Sequence, residues 1–156
     1  MDVCQFIKAV LAQDENTIRN YFHKDAYVNW HCSNEHFTVE EFIIANCEYP
    51  GDWDGTVERV EVVGDLFITA TKVYPKDRSA YFHVVSFIRT TNDKIVSIDE
   101  YWADDGNPPQ WRQDKHIGIP IQDLQTDKNA LLYIVLCGAW GAVLGSPFGR
   151  AGGEAD

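Results

Sequence analysis

The chain is poor in positive charge. Lys and Arg together number 13 against 24 Asp and Glu, a formal net charge of −11 over 156 residues. No basic stripe offsets that balance, so a phosphate backbone would be repelled and nucleic-acid binding is not expected. There is no Gly-rich phosphate loop, no G-x-S-x-G elbow and no H-E-x-x-H. Nucleotide cofactors, serine hydrolysis and a helix-borne zinc site therefore have no support. Cys4, Cys32, Cys47 and Cys137 are widely spaced and form no C-x-x-C pair. That spacing suits neither a zinc site nor a disulfide framework, and reduced thiols in a cytoplasmic protein are expected. The N-terminus MDVCQFIKAV lacks the basic and apolar segments of a signal peptide.

What is present is aromatic. Phe, Trp and Tyr make up 13% of the residues, with five Trp. Such residues fill cores and line ligand pockets. With 45% hydrophobic and 24% charged residues, the length suits one folded core.

Periodicity orders the elements. Val3, Phe6, Ile7, Val10 and Leu11 share one face of a helix over 3–12. Asp14 is placed to cap a second helix over 15–22. Residues 25–31, DAYVNWH, read as a strand. Thr38 with Glu41 three residues on is a capping-box pattern, opening a third helix over 39–47. Strands follow at 56–63, 66–75, 79–91 and 94–102, with tight turns at Gly64-Asp65 and Asn92-Asp93. Helices early and an antiparallel meander late predict an α+β fold, with helices on one face of a curved sheet. Residues 103–121 are rich in loop formers.

The domain is expected to span 1–121. Residues 122–156 form an atypical hydrophobic, Gly-rich C-terminal tail, in which Ala130 to Phe148 carries no charge. That run falls near the bilayer-spanning length of about 20 residues. Its glycines and Pro147 weaken a spanning helix, so a docked tail helix, or a C-terminus whose sequence is not native to the domain, is expected rather than a membrane anchor.

The helix, the Asp-containing turn, the helix ending in Tyr21-Phe22 and the following Asp25-Ala-Tyr-Val-Asn-Trp30 resemble the NTF2-like superfamily. Ser97-Ile-Asp-Glu-Tyr-Trp102-Ala-Asp-Asp resembles the last strand of its SnoaL-like, polyketide cyclase-like members. The stretches FTVEEFIIANCEYPGDW and DEYWADDGNPPQWRQDKHIG look like an uncharacterised bacterial subgroup. The resemblance implies a cone of curved, mainly antiparallel sheet wrapped around three N-terminal helices. It implies a pocket for a small apolar or carbonyl-containing metabolite, a homodimer, and no cofactor. Its isomerase branch uses an Asp base with a Tyr and a protonated Asp as oxyanion hole. Laying this sequence on that pattern puts Phe6, Trp30 and Val85 at those positions. None of these side chains can exchange a proton, so that chemistry is disfavoured. The Asp-Arg-Asp set of the epoxide-hydrolase branch has no clear counterpart either.

Strand alternation then gives a candidate site. With Trp30 and Val85 inward, Val28, Tyr81 and His83 follow. If residue 91 pairs with 94, Val85 lies opposite Glu100 and His83 opposite Trp102, with Ile98 on the same face. Val28, Trp30, Tyr81, Val85, Ile98 and Trp102 would line the pocket, and His83 with Glu100 would be an acid/base pair on neighbouring strands. The same two residues would equally satisfy each other in a core without chemistry. His31 and His36 lie five apart in an expected loop, and no metal site is expected. Asp104 and Asp105 are expected at the mouth of the cone. Trp53 and Trp111, in turn-rich segments, fit a lid, a dimer contact or a core plug. The function that follows is a small-molecule-binding protein. A cofactor-free lyase or isomerase using His83 and Glu100 is the alternative, and a protein-interaction module the third reading.

Overall fold

The structure is a computed structural model and describes residues 1–119 and 121. The tail expected over 122–156 lies outside the described residues. The elements run α1 (Val3–Leu11), α2 (Glu15–Tyr21), β1 (Phe22–Trp30), β2 (Glu35–Thr38), α3 (Val39–Cys47), β3 (Trp53–Val63), β4 (Leu66–Pro75), β5 (Phe82–Thr91), β6 (Lys94–Asp104) and α4 (Gln110–Asp114). The strands form one six-stranded sheet in the order β2-β1-β6-β5-β4-β3. Only the β1–β6 pair is parallel. The architecture is α+β, a curved, mainly antiparallel sheet carrying its helices.

Local chemistry starts each N-terminal helix. Asp2 accepts from the Gln5 N–H at 3.1 Å and Asp14 from the Thr17 N–H at 3.1 Å. Thr38 and Glu41 complete a reciprocal capping box, with Glu41 accepting from the Thr38 N–H at 2.8 Å. Such caps satisfy N–H groups that a helix start leaves without partners. The turns behave as their residues dictate. Gly64 has φ +61°, while Asn92 and Asp93 have φ 50° and 60°, the left-handed pair of a type I′ hairpin.

One sheet face meets the helices and makes the core. Ile18, Val28, Ile95 and Ile98 are fully buried, with Phe42, Ile43 and Ile88 almost so. Each such side chain contributes roughly 1.5–3 kcal/mol by leaving water. Phe22 links the layers through edge-to-face contacts with Phe6 and Phe42, both at 5.7 Å. Gly55 lets β3 pass under α1. A Cβ there would meet the Lys72 carbonyl at 2.7 Å and Leu11 at 3.0 Å.

Several expectations change. β1 begins at Phe22 rather than 25, β3 at Trp53 rather than 56, and β6 runs to Asp104. The segment expected to loop around His36 contains β2, which pairs Tyr27–Trp30 with Glu35–Thr38. A short helix, α4, lies within the loop-rich stretch. Cys32 and Cys47 are free thiols, and Cys137 lies outside the described residues.

The most consequential change is one of register. Thr91 pairs with Lys94 as expected, and Thr90 with Ile95, but Arg89 then pairs with Ser97. Val96 is the extra residue of a β-bulge. Beyond it every partner moves by one: Ser86 faces Glu100, Val85 faces Tyr101, Val84 faces Trp102 and His83 faces Ala103.

Candidate functional site

A cavity of about 510 Å³ opens between α1, the β1–β2 turn, the end of α3 and strands β3 to β6. This is within the range of small-molecule sites. Val10 and Leu11 of α1 supply one aliphatic wall. Trp30 and Trp102, at the ends of the parallel strands β1 and β6, stand with ring centres 6.4 Å apart. Across from them Tyr49, Trp53 and Phe82 form a second aromatic run, with spacings of 5.5 and 6.1 Å. Gln13, Cys32, Ser33, Glu35, Asn46 and Asp104 supply polar atoms.

Behind Trp102 lies Glu100, buried at 8% exposure. Its Oε1 accepts from the Ser86 hydroxyl at 2.9 Å and its Oε2 from the Trp102 indole N–H at 3.1 Å. Burial pushes the Glu100 carboxyl above its ordinary value. The Ser86 and Trp102 bonds oppose the rise, as does the nearby Trp30 indole. The Trp30 N–H is itself buried and outside hydrogen-bond geometry with any acceptor. Neither bonded partner is a cation that would offset the cost of burying the charged form.

The sequence-predicted residues separate into three places. Trp30 and Trp102 line the cavity. Val28 and Ile98 pair across β1 and β6 and are fully buried in the core. Val85, Tyr81 and His83 are not in the cavity lining. Val85 is exposed opposite Tyr101, and Tyr81 packs on Tyr74 beneath the Lys72 ammonium. His83 bonds Asp105 through Nδ1, and its Nε2 lies 3.3 Å from Glu58. The expected pairing of His83 with Glu100 is therefore not assembled. The bulge at Val96 shifts the alternation, and the two side chains leave the sheet on opposite faces.

Sequence reasoning left Trp53 without a place and did not find Tyr49, Phe82, Glu35 or Ser86. Asp104 is at the cavity as expected, whereas Asp105 is taken up by His83. The signal available for Ser86 was its alternation with Ile88 and Val84, which the correct register turns toward Glu100.

On the outer face a second network joins β1, β2 and β6. Asp99 accepts from Asn29 at 2.8 Å and pairs with His31 at 2.8 Å; His36 Nδ1 meets Asn29 Oδ1 at 2.7 Å. The His31 ring stacks on Tyr101 at 4.5 Å, nearly parallel. Among the described residues no group of three or more His, Cys, Asp or Glu is disposed to hold a metal. No helix among them is long and apolar enough to cross a membrane.

A curved sheet closing over a helix, with an aromatic cavity at one end, defines the NTF2-like fold, and solved structures carry it. A candidate ketosteroid isomerase from Kribbella flavida matches at TM-score 0.65 and 16% identity, over 77% of this chain and 87% of that one. An NTF2-like protein of unknown function from Burkholderia xenovorans matches at 0.62 and 21%, over 76% and 93%. A candidate SnoaL-like polyketide cyclase from Shewanella putrefaciens matches at 0.56 and 13%, over 64% and 85%. No family model matches the sequence, and no curated protein does. The chain thus has the NTF2-like fold, with structural likeness to its ketosteroid isomerase-like and SnoaL-like branches.

Proposed function

We propose that this protein binds a small, mostly apolar organic molecule in the cavity between Trp30, Trp53 and Trp102. The observation that carries this reading is the lining itself: five aromatic rings and α1 aliphatic side chains around about 510 Å³, with a few convergent polar groups. Apolar concavities of this kind are where ligands bury most of their surface. A thermal-shift screen against ketones, enones, phenols, hydroxy acids and amines tests it. A ligand that binds only the folded protein stabilises it by about 2.7 kcal/mol at 100 times its dissociation constant. A hit should weaken in Trp53→Leu and should shield Cys32, which lines the cavity, from alkylation. No stabilisation by any class, with Cys32 alkylated at an unchanged rate, would sink the reading.

A second reading is a cofactor-free lyase or isomerase, and the buried Glu100 favours it. A buried carboxyl whose affinity for its proton is raised is suited to act as a general acid toward a developing enolate. With His83 on the other face, Glu100 would act without that partner. For assembly, we propose the outer sheet face as the homodimer surface, since Tyr27, Val85 and Tyr101 are exposed there. A cytoplasmic setting fits the same reading.

A further inference from the structure

The cavity is lined by charge of one sign. Glu35, where β2 begins, and Asp104, where β6 ends, both belong to its lining, and among the described residues no Lys, Arg or His does. Both carboxylates are exposed, which places them at the mouth. The rest of the wall is dominated by aromatic rings. The N–H edge of Trp53 is taken by the Pro50 carbonyl at 3.2 Å and that of Trp102 by Glu100. What these two indoles offer a ligand is therefore ring surface rather than a donor. Aromatic faces carry negative potential. An anion would be repelled by both features. A neutral hydrocarbon would use the rings and leave two carboxylates idle. A cation whose charge is spread over alkyl groups uses both, and loses less hydration on entry than a bare ammonium.

We propose that the ligand is an organic cation, a tertiary or quaternary amine with an apolar body, its head held against Trp30, Trp53 and Trp102 and faced by Glu35 and Asp104. This rests on the cavity being the ligand site. The net charge of −11 adds a field that draws such a molecule in, more strongly at low salt.

Two probes of nearly one shape test it: choline and its uncharged carbon analogue, 3,3-dimethylbutan-1-ol. Binding is measured by calorimetry at low salt, with protection of Cys32 from iodoacetamide as a second readout. Choline should bind at least about tenfold more tightly, the preference that one or two cation–π contacts give. In the double variant Glu35→Gln/Asp104→Asn, choline should weaken several-fold while the alcohol is unchanged. Both side chains are exposed, so the fold is retained, and an unfolding curve checks this. Equal or tighter binding of the alcohol, with Cys32 protected, overturns the cation while leaving the cavity as the site. Choline affinity unchanged in the double variant overturns it as well. If neither probe binds nor protects Cys32, the cavity reading fails and the cation falls with it.

Discussion

Replacing Glu100 by glutamine separates what the buried carboxyl does by hydrogen bonding from what it does by ionising. Its two oxygens accept from Ser86 at 2.9 Å and Trp102 at 3.1 Å. A glutamine reproduces both bonds: its oxygen takes the indole N–H, and its amide donates to the Ser86 hydroxyl, which is able to accept. The cost in hydrogen bonding should stay within about 1 kcal/mol, the difference between charge-assisted and neutral bonds. What disappears is the titration. Burial holds the wild-type carboxyl above its ordinary 4.5, so between that value and its folded value the folded state binds more proton than the unfolded chain. Stability must then fall as pH rises through the window. The wild-type contribution is complete below about 4.5 and is lost as pH passes the folded value. Glu100→Gln should therefore match wild type at pH 4 to within about 1 kcal/mol. At higher pH it should be the more stable, by about 1.36 kcal/mol for each unit by which the carboxyl is raised. Urea unfolding from pH 4 to 8, followed by tryptophan fluorescence, gives the difference curve. A difference that does not change with pH, or wild type gaining on the variant as pH rises, would refute the reasoning. Glu100→Ala provides the contrast, since it leaves two buried donors without partners at about 1–3 kcal/mol each.

Two smaller perturbations test the scaffold around the site. The Thr71 hydroxyl is buried without a hydrogen-bond partner, so Thr71→Val, close in shape and suited to a strand, should stabilise by about 1 kcal/mol in the same unfolding assay; destabilisation would mean the hydroxyl has an acceptor. Thr38→Ala removes the α3 cap and should cost about 1 kcal/mol. A double-mutant cycle with Glu41→Ala should return a coupling of at least about 0.5 kcal/mol, and strict additivity would dissolve the capping box.

Much of this fold could be read from residues that act locally. Asp14, Thr38 with Glu41, and Asn92-Asp93 specify helix starts and a turn through their own side chains and φ preferences, so each element lies close to where the sequence places it. β2 escaped because its four residues, Glu35 to Thr38, are too few to show alternation and are mostly exposed. The site was legible in halves. Trp30 and Trp102 line the cavity, but linking Glu100 to His83 required carrying the register from the Thr91–Lys94 pair along both strands at an even pace. No residue type around Val96 announces a bulge, and one unpaired residue reverses every facing beyond it. Tyr49, beyond the end of α3, and Trp53, which opens β3, join the cavity through tertiary packing that brings β3 against α1, which no local pattern records.

Asp99 and Glu100 are consecutive on β6 and leave it on opposite faces. Burial raises the Asp99 carboxyl, but bonds from Asn29 and His31 more than offset it, and it settles below its ordinary value; Glu100 settles above its own. In a free peptide the two would lose their protons at nearly the same pH. Here they are sorted: as pH rises the first proton leaves toward the outer face, and the second stays behind Trp102. Between those two events β6 is electrically two-sided, anionic on the outer surface and neutral toward the cavity, with a single strand as the divide.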